Sequence, residues 1–255
     1  MSTYIDELKY SISGDNYIVN KYITIYNPYV YEIKDFGENN FFTVLSWFVR
    51  KPYDIAVELD DQKIDYQSLS DWDLFYSTAP IIPIVYSCIL FGKLNFTEFS
   101  QRIDEETGIK YLENKYNPQI RIDEAIYNKI ATYLRYIYFI SDKVEYDVGN
   151  AMAKKFLLDR MRRKRKKYLK DLELGKVKNQ SQISSMIKYC VNNSDFKYNY
   201  TTVMDLKLNL LYESYYFIVN TSERDNVMSG IYHGTIDTAK MKDKSILNII
   251  PDLHK

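Results

Sequence analysis

The stretch "IDEAIYNKIATYLRYIYFI", residues 122–140, decides the reading of the fold. Ile126, Ile130, Tyr133, Leu134 and Ile137 recur at three- and four-residue steps and therefore share one face of a helix. Asp123 and Glu124 stand at its start, where the positive end of the helix dipole favours carboxylates. Downstream, "SQISSMIKYCVNN" (181–193) and a segment from about Val203 to about Val219 also read as helices. In the latter, Leu206, Leu210, Tyr212 or Glu213, and Phe217 mix core and rim roles.

Upstream the pattern is mixed. "NYIVNKYITIYNPYVYEI" (16–33) is rich in β-branched and aromatic residues and predicts one or two strands, with Asn27-Pro28 as the break between them. "GENNFFTVLSWFVRKPYD" (37–54) predicts a helix over Phe41 to Arg50 that turns Phe41, Leu45 and Phe48 inward and stops ahead of Pro52. Ser70, three residues before Asp73, is a capping-box start that accounts for Asp71 and Asp73 without a metal. In "LNFTEFSQRIDEETGIKYLEN" (94–114), a hairpin turning over Glu105 to Gly108 explains Asp104, Glu105 and Glu106 as a surface turn; no EF-hand spacing follows. The apolar run "APIIPIVYSCILFG" (79–92) is shorter than the ~20 residues of a spanning helix and contains Pro80 and Pro83, so it reads as buried core and not as a membrane segment. The fold class is α+β, predominantly α-helical, with a small β-containing N-terminal part.

At 255 residues and 46% hydrophobic content the chain has material for one elaborate domain or two modest ones. A boundary at "KYNPQIR" (115–121) would separate a mixed lobe, 1–117, from a helical lobe, 118–255; a single continuous core is the alternative. The zero net charge conceals a division. Residues 1–153 hold 14 Lys and Arg against 23 Asp and Glu, a net −9, and residues 154–255 hold 20 against 11, a net +9. The 26 tyrosines accompany abundant Asn, Ile and Lys, the signature of an AT-rich genome, and read as core and rim packing before base stacking. Asp6, Glu7 and Lys9 interrupt any signal-peptide core, which points to the cytoplasm. Cys88 and Cys190 are expected as free, buried thiols.

"LLDRMRRKRKKYLKD" (157–171) is the most basic stretch, and ten basic residues lie between Lys154 and Lys170. Leu157, Met161, Tyr168 and Leu172 form a stripe, predicting a helix from about Asn150 to about Leu174 that Gly175 ends. From Arg162 to Lys167 every face is basic, so this part either projects into solvent or meets carboxylates. Three readings compete: a solvated face, contact with an acidic surface of this chain or of a partner, and nucleic acid. Nucleic acid ranks last, because the chain lacks a groove-reading motif, interleaved aromatics and a net positive field. The candidate contact residues are Arg160, Arg162, Arg163, Lys164, Arg165, Lys166 and Lys167. Reversing Arg162, Arg163 and Arg165 to Glu is expected to weaken partner capture without unfolding the protein.

Catalytic material is scarce. There is no Walker A pattern, dinucleotide fingerprint or Cys-x-x-Cys, and His233 and His254 are the only histidines. His233 lies in an expected turn without an identifiable nucleophile, so no catalytic, cofactor or metal residues are assigned.

The C-terminal block "NVMSGIYHGTIDTAKMKDKSILNII" (226–250) contains Gly-Ile-Tyr-x-Gly-x-Ile-Asp, which resembles the tail-region proteins, including the Gp15-like group, that phages of Firmicutes encode close to the tape-measure protein. "EIKDFGENNFF" (32–42), with Phe36 where tyrosine is common, "KIDYQSLSDWDLF" (63–75) and the helix after "NAMAKKFLLDR" (150–160) are similar to further blocks of that group. The resemblance implies a non-enzymatic tail-assembly chaperone in the host cytoplasm that binds the tape-measure protein and helps tail-tube subunits gather on it. The alternative it leaves open is a structural piece of the tail or neck, retained in the virion. No cofactor, membrane or nucleic-acid partner is implied, and self-association is left open.

Overall fold

The structure, a computed structural model, describes residues 5–141, 149–176, 180–241, 243–248 and 253. A π-helical turn, Leu8–Ile12, precedes a two-stranded antiparallel ribbon, β1 (Tyr17–Ile18) and β2 (Thr24–Ile25). The break between the strands is at 19–23 and not at Asn27-Pro28, which follows them. What comes after Pro28 is helix α1 (Val30–Phe36), where a second strand was one expectation. Glu32 reaches back to accept the Tyr29 N–H at 2.7 Å, and Val30 and Ile33 bury one turn apart. A cap and a three-residue burial step thus override the β-propensity of the tyrosines and valine.

Helix α2 (Glu38–Val49) buries Phe41, Leu45 and Phe48 as their spacing requires and ends at Arg50 ahead of Pro52. A short helix α3 (Ala56–Asp61) leads to α4 (Asp71–Thr78). Ser70 Oγ accepts the Asp73 N–H at 3.0 Å and Asp73 accepts the Ser70 N–H at 3.2 Å, the reciprocal cap read from the sequence. Helix α5 (Ile84–Phe91) carries the apolar run. Only half of it is core: Ala79, Ile82, Leu90 and Phe91 are buried, whereas Ile81, Val85 and Cys88 face solvent. An eight-residue helix with apolar side chains on nearly every face has one face left over once the other has packed.

The hairpin β3 (Phe99–Ile103) and β4 (Lys110–Asn114) pairs with β5 (Arg121–Ile122) in a three-stranded antiparallel sheet. At its turn Asp104 Oδ1 accepts from the Glu106 and Thr107 N–H groups, so that carboxylate closes a turn. Helix α6 (Glu124–Ile137) is the centre of the molecule. Ile130, Tyr133, Leu134 and Ile137 are buried, joined by Tyr127 and Ala131, and Asp123 caps the helix by accepting the Ile126 N–H at 2.8 Å. The basic helix is α7 (Ala151–Glu173), followed by α8 (Gln182–Val191) and α9 (Leu208–Tyr232). Helix α9 starts five residues later and runs thirteen further than the expected Val203–Val219; Val203 belongs to a 3-10 turn, Thr202–Asp205.

One buried cluster extends from Tyr17 to Ile218 and includes residues on both sides of 117. Phe48 meets Phe75, Phe91 and Phe96 at ring-centroid distances of 5.5, 4.6 and 5.1 Å, and Tyr127 stacks on Phe75 at 4.7 Å. Burial pushes the Tyr127, Tyr133 and Tyr212 hydroxyls well above the usual phenol range. The segment around Pro28 is tied to α6 and to the start of α9: Asn27 Nδ2 donates to the Tyr133 hydroxyl at 2.9 Å, Leu208 N–H to Pro28 O at 2.8 Å, and Val30 N–H to Leu206 O at 2.9 Å. The Arg135 guanidinium, 9% exposed, donates to Val49 O and pairs with Asp71 at 2.7 Å, so that α6 is pinned to α2 and α4.

Candidate functional site

Helix α7 does not belong to the main core. Its one fully buried side chain, Leu158, joins Ala56, Val57, Leu59 and Tyr66 in a small separate cluster, with Met161, Tyr53, Ile55 and Leu69 packed against it. The fully buried position is Leu158, about 100° round the helix from Leu157, while Met161 of the expected stripe packs against the same cluster. The sequence offered both leucines; which one points inward depended on where α3 lies.

Around this contact the charges match. Arg162 donates to Asp60 at 2.5 Å and Asp61 at 2.7 Å, Arg165 pairs with Glu58 at 2.6 Å, and Lys154 pairs with Asp65 and lies over the Tyr66 ring at 4.9 Å. Hydrogen bonds from Arg162 to Asp61 and Asp60 raise the guanidinium pKa further, and the Lys154 contact holds the Asp65 carboxyl below its usual range. These pairs are largely exposed, so they orient the helix, while Leu158 holds it.

The seven candidate contact residues therefore divide. Arg162 and Arg165 face α3 and meet this chain's own acids, so that Glu at these positions would set like charges against Glu58, Asp60 and Asp61. Arg160, Arg163, Lys164, Lys166 and Lys167 are exposed, and among the described residues none of these five forms an ion pair. Every residue from Arg163 to Lys170 is exposed. Beyond the last contact with α3, at Arg165, the helix runs on for about 12 Å from Lys166 to Glu173, at 1.5 Å per residue. Asn150 caps its start by accepting the Ala153 N–H at 2.8 Å, and Gly175 (φ +64°) ends it. The free half also presents Tyr168, Leu169 and Leu172, 55%, 48% and 45% exposed.

The acidic residues of α3, "AVELDD", were not singled out from the sequence. A six-residue segment leaves too short a periodicity to reveal it, and nothing local marks Glu58, Asp60 and Asp61 as the acids that Arg162 and Arg165 would meet.

The other features considered for chemistry lie away from α7. His233 is exposed at the end of α9, in the expected turn, and its N–H donates to Ser229 O. His254 lies outside the described residues. The glycines of the "GIYHGTID" block form a helix end: Gly234 takes φ +70°, Thr235 and Ile236 N–H groups return to Gly230 O, and a Cβ on Gly230 would come within 2.6 Å of Ile236. Cys88 is exposed, against expectation, because it lies on the outer face of α5; Cys190 is buried, its thiol pushed up to about 11, and both are free. A cleft of about 430 Å³ between α1 and α8 is lined mainly by Val30, Ile33, Ile183, Ile187 and Met204, with Lys34, Glu38 and Lys188 among its charged residues. Among the described residues no group of three His, Cys, Asp or Glu side chains could hold a metal ion, and no helix is long and apolar enough to cross a membrane. Comparison of the chain with models of protein families, with curated proteins and with solved structures finds no match.

Proposed function

We propose that this protein is a non-enzymatic assembly factor of the phage tail-assembly-chaperone kind, which binds the tape-measure protein in the host cytoplasm and assists tail-tube assembly around it. The observation that carries the protein-binding part is the free half of α7, a two-faced helix standing beyond the core with apolar and cationic side chains uncovered. The tail assignment rests on the sequence blocks around Gly230 to Asp237, Glu32 to Phe42 and Lys63 to Phe75. A tape-measure protein is a long helical chain whose apolar stripes aggregate until covered, and a rigid helix with an open apolar face suits such a partner.

The test is co-expression of the chain with the tape-measure protein of its phage, followed by affinity purification and by mass spectrometry of purified virions. The reading expects co-purification of the two proteins and absence of this chain from virions. Stoichiometric copies in the virion would replace the chaperone by the structural alternative, a component of tail or neck. Retention of oligonucleotides at physiological salt, weakening as salt rises, would instead favour nucleic acid as the partner of the basic helix.

A further inference from the structure

Resting on the protein-binding reading above, we propose that the free half of α7 docks an acidic amphipathic helix of a partner protein, which continues along α7 the seam that α3 begins. At 100° per residue, Lys154, Leu158, Met161, Arg162, Arg165, Tyr168, Leu169 and Leu172 fall on one stripe about 120° wide. The first five of these meet α3 and its neighbours; the last three lie on the same stripe and are bare. The reason is length. Helix α3 has six residues, about 9 Å, and α7 has 23, about 35 Å.

The covered half shows what chemistry this stripe accepts. Val57 and Leu59 meet the apolar positions, and Glu58, Asp60 and Asp61 meet the cations beside them. The free half keeps an apolar centre, Tyr168, Leu169 and Leu172, with Lys164 and Lys166 on its two flanks at the Tyr168 end and Asp171 and Glu173 on the flanks of Leu172; from Arg163 to Glu173 six cations stand against these two acids. The occupant is therefore a helix with a Leu- or Val-type stripe bordered by Glu and Asp. A second α7 is disfavoured, since ten basic residues between Lys154 and Lys170 would face ten more. Phosphate backbones would leave the three apolar side chains in water.

The test uses the full chain and a fluorescent 21-residue helical peptide with Leu at every third or fourth position and Glu on both flanks, read by anisotropy at physiological salt. The acidic peptide should bind, its Glu-to-Lys counterpart should not, and the double variant Leu169→Ser/Leu172→Ser should bind at least about tenfold more weakly. Both substituted side chains are exposed, so circular dichroism should be unchanged. Equal binding by the double variant, equal binding of the Lys peptide, or no binding of the acidic one overturns the proposal. So does Leu169- and Leu172-dependent capture of anionic vesicles or oligonucleotide in place of the peptide. Co-purification of the tape-measure protein with wild type and double variant alike would leave the assembly function standing and remove the docking face. Peptide binding that depends on the two leucines, without any tape-measure capture, would do the reverse.

Discussion

Truncating Leu158 to alanine should release α7 while the main core stays folded. Leu158 is 4% exposed and is the one α7 side chain fully buried in the cluster formed with Ala56, Val57, Leu59 and Tyr66. Leu-to-Ala changes in cores cost about 2–5 kcal/mol, with the cost set by how far the surroundings can close the gap. Here Met161, Tyr53, Ile55 and Leu69 are only partly buried and free to shift, which places the cost at about 2–3 kcal/mol. If α7 opens as a local unit, its amides should exchange hydrogen about 30- to 150-fold faster, at 1.4 kcal/mol per tenfold. The assay is native-state hydrogen–deuterium exchange, comparing peptides from Lys154 to Arg165 with those from α6. The α6 peptides should be unchanged, because α6 lies in the other cluster. Equal acceleration in both would show that α7 and the core open together, and no acceleration in α7 would show that the ion pairs hold it; either result refutes the reasoning. Arg162→Ala, which removes pairs to Asp60 and Asp61 but no buried contact, should have a much smaller effect than Leu158→Ala.

Replacing Arg135 by leucine strands Asp71 and the Val49 carbonyl beside a buried site and should lower stability by about 3 kcal/mol in urea denaturation. Acid should loosen the fold with a defined sign. Lys154 depresses the Asp65 pKa and Lys110 that of Asp73, so their stabilisation is complete above the unfolded carboxylate value of about 3.9 and is lost as pH falls through the depressed folded values. Thermal melts at constant ionic strength should show no loss from these two groups between pH 5 and 7 and a fall below about pH 4. A thiol reagent should label one cysteine of the native protein, Cys88, and two in denaturant, because Cys190 is buried with its thiol held protonated.

The features that were legible along the chain are those closed within a few residues. The Ser70–Asp73 cap, the Asp104 turn before Gly108, the Asp123 start of α6 and the Asn150 and Gly175 limits of α7 each rest on one side chain or one backbone angle near its partner in sequence. Their energies do not depend on the rest of the fold, so residue type and spacing reveal them. The inward face of α6 was equally clear, since its apolar positions repeat over four turns against polar ones.

What required three dimensions was every choice between near-equal partners. Leu157 and Leu158 are identical in kind, and only the position of α3 selects the second. A run from Arg162 to Lys167 that is basic on all sides carries no phase information, and packing alone turns Arg162 and Arg165 onto Glu58, Asp60 and Asp61 while leaving Lys164, Lys166 and Lys167 in water. Residues 84–91 carry apolar side chains on nearly every face, and composition could not say that Val85 and Cys88 would be left outside while Ser87 is buried. Local chemistry sets where a helix begins and ends; which of its faces is covered is set by what the rest of the chain brings alongside, and on α7 that cover stops at Arg165.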